Sequence, residues 1–367
     1  MTEEEVLRKT QEYIDETNCP IKDPYQLIRI TANSVTGRQP NDKNREVTND
    51  FYDWYVVNIL KMKKCVLTKE EIYQKICEHI MERKIDYQKF VEKSVEWLCK
   101  YIKDNILKSM VIGISGGIDS TVSAFISHKA CVKCGIPLIG RSLPTLTNKD
   151  SETDAAVMVG KALCDNFKEV EIDSMYNSVL SDITAYEGEL TPLQKGNIKA
   201  RLRMIYLYNL ASIHRGVVLD NDNQSEWLLG FWTIHGDSPC DLNIGLHHLY
   251  KTEVYELANY LLSTTEEGSP EYLALQKSIS LTPTDGNGVS KSDCEQFGLD
   301  NYAQVDDVLR VLYNEEKSVD KDEYTRLLRE LPEHGMSKVI KLHEQTEYKR
   351  KPSPITPSKE EVIYAIH

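Results

Sequence analysis

The chain has 367 residues, which is enough for one large domain or for two domains with a substantial buried core. Its 57 acidic and 44 basic side chains give a formal charge of −13, which does not attract nucleic acid over a distance, although local groups can still bind phosphates. No run of 18 or more apolar residues occurs, and the first residues do not resemble a signal peptide. We therefore expect a soluble, cytoplasmic protein with no membrane or nucleic-acid partner.

The nine cysteines are an odd number and are mostly scattered singly, which is typical of reduced thiols. Cys131 and Cys134 form the one pair at the spacing of a metal or redox site. A zinc site would require a second Cys or Cys/His pair, and none accompanies them. The pattern therefore favours two free thiols near the end of a helix.

Residues 1–85 are polar and helix-rich. Apolar Val6, Tyr13 and Ile14 lie among charged residues between positions 4 and 15, and Thr68 to Glu71 has the pattern of a capping box. No catalytic constellation occurs in this part of the sequence. We predict a helical N-terminal extension, for which either a packing role or a partner-binding role remains open.

From residue 86 onward, short apolar runs alternate with segments of helical periodicity. Such alternation predicts a parallel sheet that is covered by helices on both faces, with ligands bound at the carboxyl ends of its strands. The predicted strands are 110–114, 137–142, 169–172 and 216–219, and the predicted helices are 87–106, 119–129, 151–163, about 193–213 and one that begins at Gln224.

The stretch from Met110 to Thr121 predicts a phosphate site. A buried strand breaks at Ser115-Gly116-Gly117, and a helix continues from Asp119. Glycine lets the backbone approach a ligand closely, and the unpaired N–H groups and dipole of a helix start favour an anion. Ser115 and Ser120 add hydroxyl donors, and Asp119 can hold a magnesium ion. The loop is neither a Walker A motif nor a dinucleotide fingerprint.

A second carboxylate is expected near Asp119. Glu226 lies close to the start of the helix that follows the strand ending at Leu219, so both residues belong to the same edge of the predicted sheet. Two carboxylates that converge on a polyphosphate form a suitable magnesium site. A single glutamate on a helix surface often has no such role, so this prediction depends on the other motifs.

The string from Ser115 to Ser120 resembles the pyrophosphate loop of the N-type ATP pyrophosphatases, which split ATP into AMP and pyrophosphate while they activate a carboxyl or carbonyl oxygen. Strings at 195–204, 229–242 and 248–258 resemble the signature of the NAD synthases. Further strings at 281–284, 297–302, 305–309 and 348–352 follow in the order of that family. The resemblance covers about residues 86–353 and implies a Rossmann-like α/β fold of the adenine nucleotide alpha hydrolase type.

The resemblance implies an ATP site with bound magnesium. Asp119 and Glu226 match the magnesium ligands, and Asn221 stands where the family has an ATP-contacting threonine. The residues that match the ATP-contacting positions are Gly113, Ser115, Gly116, Gly117, Ser120, Lys251 and Thr284.

The resemblance also implies a second substrate, deamido-NAD. Arg203, Asp241 and Lys349 match positions that hold deamido-NAD across a homodimer interface. Asp237 lies in the loop where ammonia would meet the activated carboxyl group. The implied catalytic residues are Asp119, Asp237 and Lys251.

The implied reaction has two steps. The nicotinate carboxylate of deamido-NAD attacks the α-phosphorus of ATP, which gives an acyl-adenylate and pyrophosphate, and ammonia then gives NAD and AMP. The 85-residue extension is too short for the glutaminase domain of glutamine-dependent relatives, so free ammonia is the expected nitrogen donor.

Three departures from the family leave alternatives open. Asp220-Asn221 stands for the usual Gly-Thr, Ile234 for a frequent lysine, and Tyr348 for histidine. A homologue that binds nucleotide but has altered catalysis, and an RNA-modifying pyrophosphatase, are therefore the competing interpretations. Binding of ATP without release of AMP would identify the first, and binding of tRNA the second.

Overall fold

The computed structural model describes residues 3–17, 19–24, 26–28, 51, 54–55, 84–284, 292–313 and 335–351. The chain divides into two compact units, Met1–Glu71 and Ile72–His367. The division lies somewhat before the predicted boundary at residue 85. The predicted capping box at Thr68 lies outside the described residues.

The first unit has a small apolar core of its own. Helix α1 spans Glu3–Thr17, close to the helical pattern found between positions 4 and 15. The ring of Tyr13 lies 5.2 Å from that of Phe51 and 4.9 Å from that of Trp54, measured between centroids. The buried residues of this core are Tyr13, Ile14, Cys19, Leu27 and Phe51.

In the second unit, the described residues form a sheet of five parallel strands, which confirms the predicted fold class. The strands lie in the order β3-β2-β1-β4-β5, so the chain runs outward in both directions from β1. Such a reversal opens a crevice at the carboxyl ends of the two central strands. The strands are β1 (Ser109–Gly113), β2 (Leu138–Ser142), β3 (Asn166–Glu169), β4 (Gly216–Asp220) and β5 (Leu242–Asn243).

Helices cover both faces of this sheet. Met110 and Ile112 of β1 point into one core layer and Val111 points into the other, as alternation along a strand requires. The helices are α2 (Tyr87–Asp104), α3 (Ile118–Cys134), α4 (Asp150–Leu163), α5 (Asp173–Glu187), α6 (Pro192–His214), α7 (Gln224–Leu229), α8 (Lys251–Ser263), α9 (Pro270–Ile279), α10 (Asp293–Phe297), α11 (Tyr302–Tyr313) and α12 (Gly335–Gln345). Helices α2, α3, α4, α8 and α9 cover the first layer, and α5 and α6 cover the second. None of the helices in the described ranges is long and apolar enough to cross a membrane.

The sequence marks the start of α6 clearly. Thr191 accepts a hydrogen bond from the backbone N–H of Gln194, whose side chain bonds back to Thr191, and Pro192 occupies the first turn. This capping box positions the start of the 23-residue helix that carries Arg203.

The position predicted for the third strand was wrong. The expected strand was 169–172, whereas β3 occupies Asn166–Glu169. Strand β2 ends at Ser142, which pairs with Glu169, and beyond this pair the N–H groups of Val170 and Ile172 donate to the carbonyl oxygens of Ser142 and Pro144 at 2.8 and 3.1 Å. The side chains of Val170 and Ile172 pack into the core layer under α5 and α6. Helices α5, α9, α10, α11 and α12 and strand β5 were not predicted.

Candidate functional site

The loop between β1 and α3 lies in the crevice at the carboxyl ends of β1 and β4. The hydroxyl oxygens of Ser115 and Ser120 are 3.0 Å apart, and the N–H of Gly117 donates to the Ser115 hydroxyl at 3.2 Å. Gly117 is the N-cap of α3 and has no side chain to bond the first helical N–H groups. The loop is therefore a compact turn at a helix start, which is the position where an anion cradle was predicted.

Gly116 fixes the position of this loop against α4. Its φ of +85° lies in the left-handed region, and a Cβ at this position would lie 2.3 Å from the carbonyl oxygen of Glu152. Both the conformation and the contact require glycine. The loop is thus held directly against the first turn of α4.

A cavity of about 840 Å³ opens next to the loop. All the predicted site residues belong to the described part of the chain, and all but Gly116 and Asp241 line this cavity. The lining residues among them are Gly113, Ser115, Gly117, Asp119, Ser120, Arg203, Asn221, Glu226, Asp237, Lys251, Thr284 and Lys349. Segments far apart in the sequence therefore meet in one place, as the resemblance implied.

The carboxylates of Asp119 and Glu226 converge on one cation, the ammonium group of Lys251. The Lys251 Nζ lies 2.5 Å from Asp119 Oδ2 and 2.9 Å from Glu226 Oε1. Lys251 is 3% exposed, and the aromatic ring of Tyr302 lies 5.3 Å from its Nζ. Because these two carboxylates already bracket a positive group, they fit a site for a divalent cation.

Asn223 connects this cluster to the start of α7, and the sequence motifs did not single it out. Its side-chain oxygen accepts the N–H of Glu226 at 3.1 Å, while its amide donates to Asp119 Oδ1 at 2.9 Å. Asn223 therefore caps the helix that carries Glu226 and orients Asp119 at the same time. The available signal was its position three residues before Glu226, which is that of a capping box.

Ser225 and Asp306 anchor the backbone of Lys251. The Lys251 N–H donates to the Ser225 hydroxyl at 2.9 Å, and that hydroxyl donates to Asp306 Oδ1 at 2.5 Å. Asp306 Oδ2 accepts the N–H of Thr252 at 2.9 Å. This buried network fixes the start of α8 relative to α7 and α11.

Burial and charge shift the ionisation of the cluster. Burial by itself would lower the pKa of Lys251, but the carboxylates of Asp119, Glu226 and Asp293 raise it well above its usual value. Burial raises the pKa of Glu226 to about 7, with Asp119 adding to the shift and Lys251 opposing it. The lysine is therefore a permanent cation in this site, whereas Glu226 titrates near neutrality.

Asp220 and Asn221, which depart from the family pattern, have different surroundings at the end of β4. Asn221 lines the cavity, where its amide donates to the carbonyl oxygen of Gly113 at 3.1 Å, while its buried side-chain oxygen has no hydrogen-bond partner among the described residues. Asp220 is 2% exposed and does not line the cavity. It accepts the hydroxyl of Ser238 at 2.7 Å and the N–H of Cys240 at 3.0 Å, so its charge organises the following loop.

Asp222 and His247 lie next to Asp220. Each of these three residues offers one atom that could bind a metal ion, and these atoms all lie within 4.8 Å of one another. The distance from His247 Nε2 to Asp220 Oδ1 is 3.3 Å. Although burial raises the pKa of Asp220, the adjacent imidazole of His247 and the hydrogen bond from Ser238 outweigh that effect and lower the pKa.

The residues implied for deamido-NAD differ in how they are placed. Arg203 donates to the carbonyl oxygen of Leu143 at 3.0 Å and to Asn148 Oδ1 at 3.3 Å, and Lys349 Nζ donates to the carbonyl oxygen of Gly230 at 2.7 Å. Asp241 is exposed outside the cavity and accepts the N–H of Val218 at 2.8 Å. Arg203 and Lys349 thus face the cavity, whereas Asp241 braces β4.

Thr284 and Asp237 lie at two other parts of the cavity wall. The Thr284 hydroxyl donates to Glu152 Oε1 at 2.8 Å, which links it to the first turn of α4 beside the phosphate loop. The carboxylate of Asp237 accepts the N–H of Thr233 at 2.5 Å. Asp237 is exposed to the cavity, so its carboxylate is accessible to a ligand.

Sequence reasoning missed a column of stacked aromatic side chains, of which Trp232 lines the cavity. The rings of Trp227 and Trp232 stack at 5.0 Å with an angle of 5° between their planes, and His247 stacks on Trp227 at 4.6 Å. Lys349 Nζ lies 5.3 Å from the Trp232 ring centroid. The Lys349 cation therefore lies at the Trp232 end of this column.

The cysteine pair near the end of α3 consists of free thiols, as predicted. Cys131 is fully buried, and burial raises the pKa of its thiol to about 12. Cys134 lies 4.0 Å from the carbonyl oxygen of Cys99. These thiols belong to the packing between α2 and α3.

Comparisons with known proteins give the same family that the motifs indicated. The model of the NAD synthase family matches residues 90–353. An NH(3)-dependent NAD(+) synthetase of Thermoplasma volcanium is 33% identical over 266 residues, which are 72% of this chain and 96% of that protein. That of Pyrococcus furiosus is 32% identical over 281 residues, which are 77% of this chain and 98% of that protein.

Solved structures agree with these matches. The NMN synthetase of Francisella tularensis superposes with a TM-score of 0.59 at 27% identity and covers 75% of this chain and 99% of that one. The NH3-dependent NAD synthetase of Campylobacter jejuni superposes with a TM-score of 0.55, also at 27% identity, and covers 75% of this chain and 100% of that one. The family match, residues 90–353, includes the described residues that line the cavity. This chain belongs to the NAD synthase family.

Proposed function

We propose that this chain amidates deamido-NAD to NAD with ammonia, at the expense of ATP, and releases AMP and pyrophosphate. The observation that carries the proposal is the convergence of Asp119, Glu226 and Lys251 beside the Ser115–Ser120 loop. This cluster lies in a chain of the NAD synthase family whose relatives are named NH(3)-dependent synthetases.

In the proposed first step, the nicotinate carboxylate attacks the α-phosphorus of ATP and the bond to the β-phosphate oxygen breaks. The N–H groups at the start of α3 and the hydroxyls of Ser115 and Ser120 hold the departing phosphates. Asp119 and Glu226 would hold magnesium, which supplies positive charge to the pyrophosphate leaving group. Lys251 supplies a further cation from the same cluster.

In the second step, the ammonia nitrogen attacks the acyl carbon, the bond to the AMP oxygen breaks and a proton leaves the nitrogen. Asp237 is the proposed acceptor of that proton, because its carboxylate is exposed to the cavity. Arg203 and Lys349 place two cations in the same cavity for the deamido-NAD phosphates. The protein acts mainly through positioning and charge neutralisation.

One solved relative is named NMN synthetase, so nicotinate mononucleotide is a second candidate substrate. NMN is the amide of nicotinate mononucleotide, and both acids present the same nicotinate carboxylate. We propose deamido-NAD as the substrate because the relatives at 32–33% identity are named NAD synthetases.

The test is an incubation of the full chain with ATP, magnesium and ammonium, together with either deamido-NAD or nicotinate mononucleotide. We expect equal amounts of NAD and AMP, little product with glutamine in place of ammonium, and none with Asp119→Asn. Faster formation of NMN than of NAD would show that nicotinate mononucleotide is the preferred substrate. Bound ATP without AMP would support the nucleotide-binding homologue, and AMP formation that needs tRNA would support the RNA-modifying alternative.

We also propose a cytoplasmic homodimer. The resemblance places the family's deamido-NAD site between subunits, and the cysteines in the described ranges are free thiols, which suits a reducing compartment. Sedimentation at working concentration should give twice the 42.1 kDa mass of one chain. A stable monomer that is fully active would contradict the dimer.

A further inference from the structure

Lys251 stands where the two proposed metal ligands converge. Its Nζ lies within hydrogen-bond distance of both Asp119 Oδ2 and Glu226 Oε1, at 2.5 and 2.9 Å. The two carboxylates belong to different helices, α3 and α7, and this ammonium group is the ion-pair partner that the structure gives to each of them. The lysine therefore offsets one of the two negative charges of the pair directly.

The backbone of Lys251 is held in place, whereas its long side chain can move. Its N–H is held by Ser225, and the residue begins α8. Four methylene groups then lead to the charge, so the ammonium group can leave the carboxylates while the helix stays in place. A second partner within reach of the same cavity would suffice to draw it away.

A divalent cation needs the same two carboxylates. Magnesium binds carboxylate oxygens at roughly 2.0–2.1 Å, and an ammonium group bonded to those oxygens occupies the same space and carries the same sign of charge. The two cations therefore exclude each other. The phosphates of ATP offer Lys251 a new anionic partner and so remove the obstacle to the metal.

We infer that Lys251 is an internal counter-ion of the Asp119–Glu226 pair, which blocks metal binding in the free protein and is transferred to phosphate when the nucleotide binds. The inference deepens the proposed function and rests on it, because it assumes that this pair holds the metal. Nucleotide and metal binding are then coupled through one side chain, and the free protein does not hold the metal tightly.

The test measures Mn²⁺ binding to the full chain without nucleotide, by calorimetry and by the electron paramagnetic resonance signal of free Mn²⁺. Lys251→Gln keeps hydrogen-bonding capacity but removes the charge, and we expect its Mn²⁺ affinity to be at least about tenfold higher than that of the wild type. Lys251→Arg keeps the charge and should bind Mn²⁺ as weakly as the wild type does. Equal affinities in all three proteins would overturn the inference.

A double variant separates this inference from the proposed function. Asp119→Asn in the Lys251→Gln background should abolish the gain in affinity. If the gain persists, Mn²⁺ binds elsewhere, for instance at Asp220, Asp222 and His247, and the proposed metal ligands are wrong. If the wild type already binds Mn²⁺ tightly and Asp119→Asn removes it, the metal ligands stand and the counter-ion is wrong.

A second measurement uses the wild type alone and does not depend on the folding of a variant. Crystals exposed to Mn²⁺ without nucleotide should show no anomalous peak between Asp119 and Glu226, and crystals exposed to Mn²⁺ and pyrophosphate should show one, with Lys251 turned toward the phosphate. An ion bound between the carboxylates while Lys251 stays bonded to both would overturn the inference.

Discussion

The residues of the cluster depend on buried partners that lie far away in the sequence. Ser225 and Asp306 are separated by 81 positions, yet their side chains share a hydrogen bond that supports the backbone of Lys251. Asp306 is 1% exposed, and burial raises its pKa to about 6 despite the hydrogen bonds from Ser225 and Thr252, which lower it. Its protonation therefore affects the stability of the site's framework.

The raised pKa of Asp306 predicts that stability falls as the pH rises. Between about pH 4 and pH 6, the unfolded chain has lost the Asp306 proton while the folded chain keeps it, so the free energy of unfolding falls as the pH rises, by up to about 3 kcal/mol. Asp306→Asn cannot titrate, so its urea unfolding curves should show a flatter slope over this range. Identical slopes in the two proteins would mean that Asp306 is ionised in the folded state throughout.

Asn223 allows helix capping and catalysis to be separated. Asn223→Ser keeps a good N-cap acceptor but loses the amide that bonds Asp119, whereas Asn223→Ala loses both. We expect the serine variant to keep its stability within about 1 kcal/mol and to lose roughly tenfold in kcat/KM, while the alanine variant loses both stability and activity. Thermal unfolding and steady-state NAD formation measure the two effects. Full activity in the serine variant would show that Asp119 needs no orientation by Asn223.

At the residue scale, sequence reasoning located the groups that carry charge but not the groups that support them. The positions of Asp119, Glu226 and Lys251 followed from motifs, and the structure brings these three together. Tyr302 and Asp306 lie in strings that resemble the family, but the roles of these two residues and of Ser225 could not be found in this way, because those roles arise only when α7, α8 and α11 pack together. No local spacing encodes those contacts.

At the scale of elements, the phosphate loop is fixed by its contact with α4. Gly116 combines a left-handed φ with a position where a Cβ would meet the Glu152 carbonyl oxygen at 2.3 Å. Gly135, the C-cap of α3, has a similar φ of +67° but no atom within 4 Å of the equivalent Cβ. The two glycines therefore separate the effect of conformation from the effect of packing.

We expect Gly135→Ala to lower the free energy of unfolding by about 1–2 kcal/mol, the cost of a left-handed residue, and to leave NAD formation unchanged. Gly116→Ala should cost more, because the loop or α4 must also move, and should reduce kcat/KM for ATP by at least about tenfold. Chemical unfolding and ATP-dependent kinetics of both variants check this. Equal, mild effects would show that the loop does not depend on α4.

Elements were predictable where the apolar pattern was strong. The strand before the loop, the helix after it and the long helix that carries Arg203 appear where the pattern placed them. Helix α5 has no fully buried residue among those described, so its apolar period is weak, and strand β5 has only two residues. The bounds of β3 were missed because they are set by the residues that pair with β2, Asn166 to Glu169, and this pairing is a property of the sheet.

At the scale of the whole molecule, the described residues that line the cavity belong to one of the two units. Among the described residues, those that line the cavity lie between positions 113 and 349, inside the unit Ile72–His367 and inside the family match. The first unit has its own aromatic core around Tyr13 and Phe51. This division predicts that the chemistry does not need residues 1–71.

A chain that begins at residue 72 should therefore fold and should form NAD and AMP within about threefold of the full-length rate, since compact units with separate cores fold independently. Circular dichroism establishes that the shortened chain is folded, and the same incubation with deamido-NAD, ATP, magnesium and ammonium measures its rate. Retained activity would direct the search for the role of the first unit to binding partners. A folded but inactive chain would show that residues 1–71 contribute to catalysis or to assembly, and sedimentation of both chains at equal concentration would distinguish these two causes.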